Sequence, residues 1–279
     1  MQTLFSDPEI HIKDRKTVEE KITNFRLENL QIVADFDSTI TQDNGHTSWS
    51  LFSKSGLMSG EYCKERDSYF DFYYPYEIDA TLTFEKKDKL MREWWQKHLE
   101  LFIKYKLNIS VIDIIIQDNS FFDFRYGMEE FLELSVIKNI PFIILSAGLT
   151  NTINEFLTFW EVNFFNVHVV SNELKFDEEG FCIGINKDVI IHSENKDEHD
   201  MPAHIKELVS GKKDIILLGD SLGDVKMIDE NLRKNALKIG FISEKKMSSK
   251  DKFMDNFDIV IESNDDSFGV PEMILDLIK

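Results

Sequence analysis

Three short clusters in this chain hold residue types that can do chemistry. The first is Asp35-Phe36-Asp37-Ser38-Thr39-Ile40-Thr41, which follows the apolar Ile32-Val33-Ala34. Two carboxylates two residues apart stand at the end of a hydrophobic run. One can attack a phosphorus atom, the other can move a proton, and both can hold a divalent cation. Taken alone, the pair also reads as two polar residues in a turn. The second cluster is Gly219-Asp220-Ser221-Leu222-Gly223-Asp224, after Ile215-Ile216-Leu217-Leu218. Its glycines permit tight turns, and its carboxylates recur at an i, i+4 spacing. Oxygen-only ligands from separate strands suit Mg²⁺, a hard ion that keeps water and substrate oxygens in its shell. Asp220 or Ser221 can also cap a following helix, which is compatible with a metal role. The third cluster is Ser146-Ala147-Gly148, after Phe142-Ile143-Ile144-Leu145. A hydroxyl and backbone N–H groups at a strand-to-helix turn can bind phosphate, or simply cap the helix.

The elements that must position these clusters follow from periodicity. Residues 17–30 predict an amphipathic helix. Short apolar runs ending in polar residues predict buried strands at 31–37, 141–148, 166–172, 214–221, 236–242 and 258–263. Helical patterns at 127–139, 150–162, 201–212 and 224–234 separate most of them. This alternation implies an α/β fold with a doubly wound parallel sheet. Residues 178–191 predict a hairpin appended to it. Residues 47–120 read mainly as helices, with no buried strand. They predict a helical insertion after the first core strand, so that 1–46 and 121–279 form a Rossmann-like catalytic core and 47–120 a cap. In open parallel sheets ligands bind outside the carboxyl ends of the strands, which is where all three clusters fall.

Composition narrows the function. Lys and Arg number 32 against 51 Asp and Glu, giving a net charge of −19. Such a chain repels phosphate backbones and anionic lipid, so neither nucleic acid nor a membrane surface is an expected partner. No stretch approaches the ~20 apolar residues of a membrane-spanning helix, and the first residues lack a signal-peptide pattern. Two cysteines, Cys63 and Cys182, cannot build a disulfide framework. A cytoplasmic location follows, with a monomer or weak dimer as the expected state. The seven histidines lack the HxxxH spacing of a helical zinc pair.

The three clusters, in this order, resemble the motifs of the haloacid dehalogenase superfamily of phosphohydrolases. Asp35–Thr41 is similar to its first motif, Leu145–Gly148 to its second and Gly219–Asp224 to its fourth. Lys196, in His192–Asp200, fits the third. Further segments, including residues 73–79, Glu93-Trp94, Val169–Asn172, residues 195–198 and Leu237–Phe241, resemble the cytosolic 5′-nucleotidase III (pyrimidine 5′-nucleotidase) family. The resemblance implies that Asp35 is the nucleophile, forming an aspartyl-phosphate, and that Asp37 is the general acid/base. It implies Mg²⁺ held by Asp35, the backbone carbonyl of Asp37 and Asp220, with Asp224 through water or a hydrogen bond. Ser146, the Ala147 backbone and Lys196 would hold the phosphate. Glu77 would meet the base. Where the family can place a Ser after Glu93-Trp94-x-x-Lys97, this chain has His98, at a position near the base or on a helix surface. The implied substrate is a nucleoside 5′-monophosphate. The second carboxylate of the first motif argues against dehalogenation. A phosphoserine phosphatase-like metabolite phosphatase shares the core motifs, and a non-catalytic nucleotide-binding relic would have lost one of Asp35, Asp37, Lys196 or Asp220.

A carboxylate at position 77 accepts hydrogen bonds and donates none, which suits the exocyclic amine of cytosine better than the carbonyl of uracil. CMP is therefore expected to be preferred over UMP. The aromatic stripe Tyr69, Phe70, Phe72, Tyr73, Tyr74, Tyr76 reads mainly as cap core, with one or two rings available to a base. The run Glu85–Lys89 reads as a solvated helix face. Residues 44–47 and 119–124 are the expected hinges of the cap.

Overall fold

The computed structural model describes residues 9–43, 46–79, 81–118, 121–186, 190–196, 201–262 and 268–279. In chain order the elements are β1 (Ile10–Ile12), α1 (Arg15–Asn24), β2 (Leu30–Ala34), α2 (Leu51–Lys54), α3 (Gly60–Ile78), α4 (Phe84–Lys104), α5 (Ile109–Asp118), α6 (Met128–Ile137), β3 (Phe142–Leu149) and α7 (Thr150–Phe159). They continue with β4 (Val167–Asn172), β5 (Leu174–Phe176), β6 (Cys182–Ile185), α8 (Ala203–Leu208), β7 (Asp214–Gly219), α9 (Glu230–Arg233), β8 (Leu237–Ile242), α10 (Lys250–Asn256), β9 (Ile259–Glu262) and α11 (Gly269–Leu277).

The main sheet has the order β1-β9-β8-β7-β2-β3-β4. Every pairing from β9 to β4 is parallel, and β1 adds to β9 antiparallel. The expected doubly wound sheet is therefore present. Its central strands are mostly apolar on both sides because both faces are covered, with few polar exceptions such as Gln31 in β2. Successive residues feed different cores: Ile32 and Ala34 pack with α1, α6, α7 and α11, while Val33 packs with Ile205, Met227 and Ile228 on the other face. From β2 the chain winds outward through β3 and β4, then returns to start again at β7 on the other side. The order reverses at β2, and a ligand crevice opens at such a switch point.

Several boundaries differ from the sequence reading. The first helix spans 15–24 because Asp14 caps it, accepting from the N–H groups of Lys16 and Thr17. It stops at Phe25, and the Arg26 N–H turns to Asp214 instead, at 2.9 Å. Residues 224–234 are not one helix. A 3₁₀ turn over Leu222–Met227 ends where Ile228 becomes extended, and Asp229 caps the separate α9. A hairpin forms, but over residues 174–185 rather than 178–191: only β6 falls inside the expected range, its partner β5 precedes it, and the pair is its own two-stranded sheet rather than an extension of the main one. Residues 187–189 lie outside the described residues. The short edge strand β1 carries too few residues for periodicity to reveal it.

Between β2 and β3 the described residues hold five helices: α2 to α5, which fall within 47–120, and α6, which leads into β3. Ser59 caps α3 through the Tyr62 N–H. α3 and α4 pack through Tyr73, Met91 and Trp94. No helix of the described residues is long and apolar enough to cross a membrane.

Gly240, in the middle of β8, is a sensitive point of the core. A Cβ there would stand 2.8 Å from Cγ of Phe257 and 3.2 Å from Cδ1 of Phe253, both buried. Gly240→Ala should destabilise the fold by about 1–3 kcal/mol through overpacking. Urea unfolding checks this, and an unchanged midpoint at unchanged slope contradicts it.

Candidate active site

β2 and β7 are neighbours in register from Leu30 opposite Asp214 to Ala34 opposite Leu218. The carboxyl ends of both strands therefore deliver their next residues to one place. The Asp35 N–H extends the ladder to the Leu218 carbonyl at 3.1 Å, and Asp35 Oδ1 accepts from the Phe36 N–H at 2.7 Å. The chain then turns sharply. The N–H groups of Thr39, Ile40 and Thr41 all point at the Phe36 carbonyl, and Ser38 takes a left-handed φ of 61°. The buried Arg125 guanidinium donates to the Ser38 carbonyl from Nη2 at 2.6 Å and Nε at 3.3 Å, holding that turn.

After β7, Asp224 folds back beneath the strand end. Its Oδ2 accepts from the N–H groups of Asp220 at 3.0 Å and Ser221 at 2.9 Å. A Cβ at Gly219 would meet the Asp224 Cβ at 2.6 Å, so only glycine admits this packing. Lys196 joins the two strand ends: its Nζ lies 2.5 Å from Asp35 Oδ2 and 3.1 Å from Asp224 Oδ1. Lys246 pairs with the Asp220 carboxylate.

Asp35, Asp220 and Asp224 are all buried, and one oxygen of each lies within 4.8 Å of the others. Burial pushes the Asp35 carboxyl well above the usual range, and the charges of Asp224 and Asp220 add to this against the pull of Lys196. Burial draws the Lys196 ammonium down, but Asp224 and Asp35 outweigh it and hold the group above its ordinary value. The cluster is short of positive charge, and its donors are oxygen only. That donor set fits a hard divalent cation.

Asp37 points elsewhere. Its two oxygens accept from the Ser48 N–H and the Ser48 hydroxyl, both at 2.9 Å. Burial nevertheless pushes its carboxyl up to about 6, against those two bonds. Ser48 can approach only because residue 148 is glycine: a Cβ there would lie 2.2 Å from Ser48 Oγ. Ser146-Ala147-Gly148 is not a plain strand-to-helix turn. The three residues lie within β3, where the register with β4 shifts between Leu145 and Leu149. Ser146 Oγ accepts from the Gly148 N–H at 3.0 Å.

Asp35, Asp37, Ser146, Lys196, Asp220 and Lys246 line a cavity of about 300 Å³. Helices α3 and α4 line it as well. Glu77 and His98 both reach it, with Arg66, Phe70, Tyr74, Trp94 and Trp95. Burial raises the Glu77 carboxyl. His98 is not a helix-surface residue: it is buried, and burial pushes its ring down to about 3. Of the aromatic stripe, only Tyr73 is fully buried, Phe72 is 56% exposed, and Phe70 and Tyr74 face the cavity.

The Ala147 carbonyl ties β3 to the helical segment. It accepts from Trp49 Nε1 at 2.9 Å, Trp95 Nε1 at 3.1 Å and Asn172 Nδ2 at 3.0 Å. The run Glu85–Lys89 is not merely solvated. Lys87 Nζ lies 3.4 Å from Glu194 and Asp88 lies 3.1 Å from His192, so α4 touches the segment that carries Lys196.

The structure thus brings together Asp35, Asp37, Ser146, Ala147, Lys196, Asp220, Glu77 and His98 on one cavity, with Asp224 behind it. Of the expected hinges, residues 44, 45, 119 and 120 lie outside the described residues, as do residues 197 and 198 of the 195–198 segment. Sequence reasoning missed Ser48, Trp49, Trp95, Arg125 and Lys246. Ser48 and Trp49 stand close behind the first motif, and that nearness was the available signal. Lys246 sits in Glu244-Lys245-Lys246, where nothing distinguishes it from a surface charge.

Asp224 offers a test of this packing that needs no assay of function. Asp224→Ala strips the Asp220 and Ser221 N–H groups of their acceptor and Lys196 of one partner. It should lower stability by about 2–4 kcal/mol. Thermal or urea unfolding measures it, and stability equal to the parent protein would refute the arrangement.

Known proteins share this architecture. A family profile described as pyrimidine 5′-nucleotidase (UMPH-1) matches residues 38–279, beginning just after Asp35 and Asp37. The 7-methylguanosine phosphate-specific 5′-nucleotidase of Homo sapiens is 34% identical over 247 residues, covering 85% of this chain and 81% of that protein. The 7-methylguanosine phosphate-specific 5′-nucleotidase A of Xenopus laevis is 32% identical over 280 residues, covering 96% and 95%. The crystal structure of cytosolic 5′-nucleotidase IIIB bound to cytidine superposes with a TM-score of 0.85 at 30% identity, covering 99% of this chain and 95% of that one. Apo phosphoserine phosphatase, at 20% identity and a TM-score of 0.55, shares the fold alone. With 242 of its residues inside the family profile, this chain belongs to the pyrimidine 5′-nucleotidase (UMPH-1) family and is a 5′-nucleotidase of the haloacid dehalogenase superfamily.

Proposed function

We propose that this chain is a Mg²⁺-dependent phosphatase of nucleoside 5′-monophosphates that works through an aspartyl-phosphate on Asp35. One observation carries the reading. A single cavity is lined both by carboxylates, Lys196 and Ser146 from the strands and their loops and by Glu77, His98 and aromatic rings from α3 and α4. A molecule with a phosphate at one end and a flat base at the other matches that division. A phosphoserine has no flat ring to stack against the aromatic side chains.

Asp35 Oδ attacks phosphorus while the bond from phosphorus to the nucleoside O5′ breaks. Asp37 delivers its proton to the departing O5′, so nucleoside leaves neutral. Water then attacks the phosphorus of the acyl phosphate, Asp37 takes a proton from it, and the bond to Asp35 breaks. Phosphate leaves, Asp35 is again a carboxylate and Asp37 is again protonated. Dividing one displacement into two lowers each barrier. Asp37 suits the role because burial pushes its carboxyl up to about 6, where both giving and taking a proton are accessible near neutral pH, while Ser48 fixes where its oxygens lie. Lys196 and Ser146 bind the phosphate oxygens, and Lys196 offsets the repulsion between dianion and carboxylate. Asp35 and Asp220 would hold Mg²⁺ with the Asp37 carbonyl, and Asp224, both of whose oxygens already accept hydrogen bonds, would orient them. When bound, that ion supplies positive charge to the developing phosphoryl transition state.

The helical segment, residues 47–120, acts as the cap. Its Trp49 and Trp95 bond to Ala147, and its Lys87 and Asp88 hold the segment carrying Lys196. Closing it excludes water during the first step, and loosening it admits water for the second. The chain works in the cytoplasm, in keeping with the name of the putative cytosolic 5′-nucleotidase 3 of Caenorhabditis elegans.

Base preference rests on Glu77. Its carboxylate accepts from the exocyclic amine of cytosine and faces a carbonyl in uracil, so CMP is the better substrate of the two. A second reading has a specific basis. Rings beside a carboxylate also favour a positively charged base through cation–π attraction and charge, and the named relatives act on 7-methylguanosine phosphate.

Three outcomes follow. Asp35→Asn should lose turnover by at least ~10³-fold with folding intact, and a tenth of the parent activity would sink the covalent mechanism. EDTA should abolish phosphate release and Mg²⁺ restore it, with Asp220→Ala raising the Mg²⁺ needed; restoration by Zn²⁺ alone would refute the ligand reading. An acceptor facing an acceptor costs ~1–3 kcal/mol, or roughly 5- to 150-fold, in kcat/KM for UMP against CMP. Glu77→Gln should narrow that gap and leave p-nitrophenyl phosphate hydrolysis nearly unchanged. Measuring kcat/KM for CMP, UMP and 7-methyl-GMP decides between the two readings. Equal CMP and UMP efficiencies in the parent enzyme would remove Glu77 from base recognition.

A further inference from the structure

Lys246 lies outside every motif, yet its ammonium stands on the Asp220 carboxylate. It sits on the 3₁₀ turn Glu244–Ser249 that follows β8, the strand beside β7. Its Nζ pairs with Asp220 Oδ2 and also donates to the Asp220 backbone carbonyl at 3.1 Å. The other carboxylate oxygen, Oδ1, is 3.4 Å from the Thr39 hydroxyl. The side chain is 39% exposed, and it lines the same cavity as Ser146 and Lys196.

We propose that Lys246 sets the balance of the site between cation and anion, weakening divalent-ion binding at Asp220 and strengthening phosphate binding beside it. The inference rests on the cation site proposed above. Lys196 pairs with Asp35 and Asp224, and Lys246 with Asp220, so these three carboxylates and two ammonium groups keep one net negative charge. One divalent ion turns that into one net positive charge. A phosphate dianion then meets an attractive site. Without Lys246 it would meet one with no net charge. The same charge acts in the opposite sense on the ion. Any ion that takes an Asp220 oxygen must either displace the ammonium from Oδ2 or sit on Oδ1 beside it. In both cases the bond to the Asp220 carbonyl keeps Nζ within a few ångströms of the ion, where like charges repel. The repulsion is partly screened because the side chain is partly exposed.

The test uses the whole protein and Mn²⁺, whose free form is counted by electron paramagnetic resonance, with no nucleotide present. Four proteins are compared: the parent, Lys246→Met, Lys246→Arg and Asp220→Asn. Lys246→Met should bind Mn²⁺ about tenfold more tightly than the parent, and added salt should shrink the difference. Lys246→Arg, which keeps the charge, should bind it as the parent does, within about threefold. Inorganic phosphate, measured as an inhibitor at saturating Mg²⁺, should bind Lys246→Met several-fold more weakly. Asp220→Asn should lose most Mn²⁺ binding. If Asp220→Asn loses Mn²⁺ while Lys246→Met binds it no more tightly than the parent, the role of Lys246 is overturned and the cation site stands. A tightened Mn²⁺ site with unchanged phosphate inhibition overturns the balance as well. If Asp220→Asn binds Mn²⁺ like the parent, the cation site itself falls.

Discussion

The molecule is organised around an electrostatic difficulty: carboxylates crowded together out of water. Asp35, Asp220 and Asp224 bring oxygens within 4.8 Å of one another at the ends of two adjacent strands. Isolated buried carboxylates would take up protons rather than stay charged. Here Lys196 bridges Asp35 and Asp224, Lys246 pairs with Asp220, and backbone N–H groups satisfy the rest. Parallel strands make the arrangement possible. Their carboxyl ends stop at one level, so residues far apart in sequence arrive together without any long loop.

Much of the surrounding structure serves that cluster. Gly219 is bare because Asp224 packs against it, and Gly148 is bare because Ser48 must reach Asp37. Arg125 is buried to hold the carbonyl of the strained Ser38. The Ala147 carbonyl binds two tryptophans from the helical segment, so the helices lining the cavity are bonded to the strand that carries Ser146. Asp88 and Lys87 reach from α4 to the segment carrying Lys196. A displacement of the helices would therefore disturb the surroundings of Ser146 and Lys196 directly.

The core was legible in the sequence because buried parallel strands are largely apolar runs, and three of them, β2, β3 and β7, carry or lead into the residues that line the cavity. Asp35, Asp37, Ser146 and Asp220 were readable, because chemistry near a strand end leaves a short, ordered pattern. Lys196, Glu77 and His98 were readable only through family resemblance, since a lone lysine in a loop, or a helix residue facing a cavity, leaves no spacing signal. Ser48, Arg125 and Lys246 were not readable at all. They act through other residues, across 11, 87 and 26 positions of chain, and only the fold brings them to their partners. The boundary errors have the same origin. Asp14 and Asp229 decide where helices start, and the Ser48–Gly148 contact accounts for the irregular end of β3. Each is a local polar interaction that hydrophobic periodicity does not report.

The central claim is that the Asp35 carboxylate itself receives the phosphoryl group. Trapping tests it most directly. The enzyme is mixed with CMP and Mg²⁺, quenched in acid within the first turnover, reduced with borohydride and digested for mass spectrometry. Reduction converts an aspartyl-phosphate to homoserine and leaves a free carboxylate untouched. The account predicts homoserine at residue 35, dependent on CMP and Mg²⁺. An unaltered Asp35 under conditions where phosphate is being released, or homoserine at another carboxylate, would contradict it.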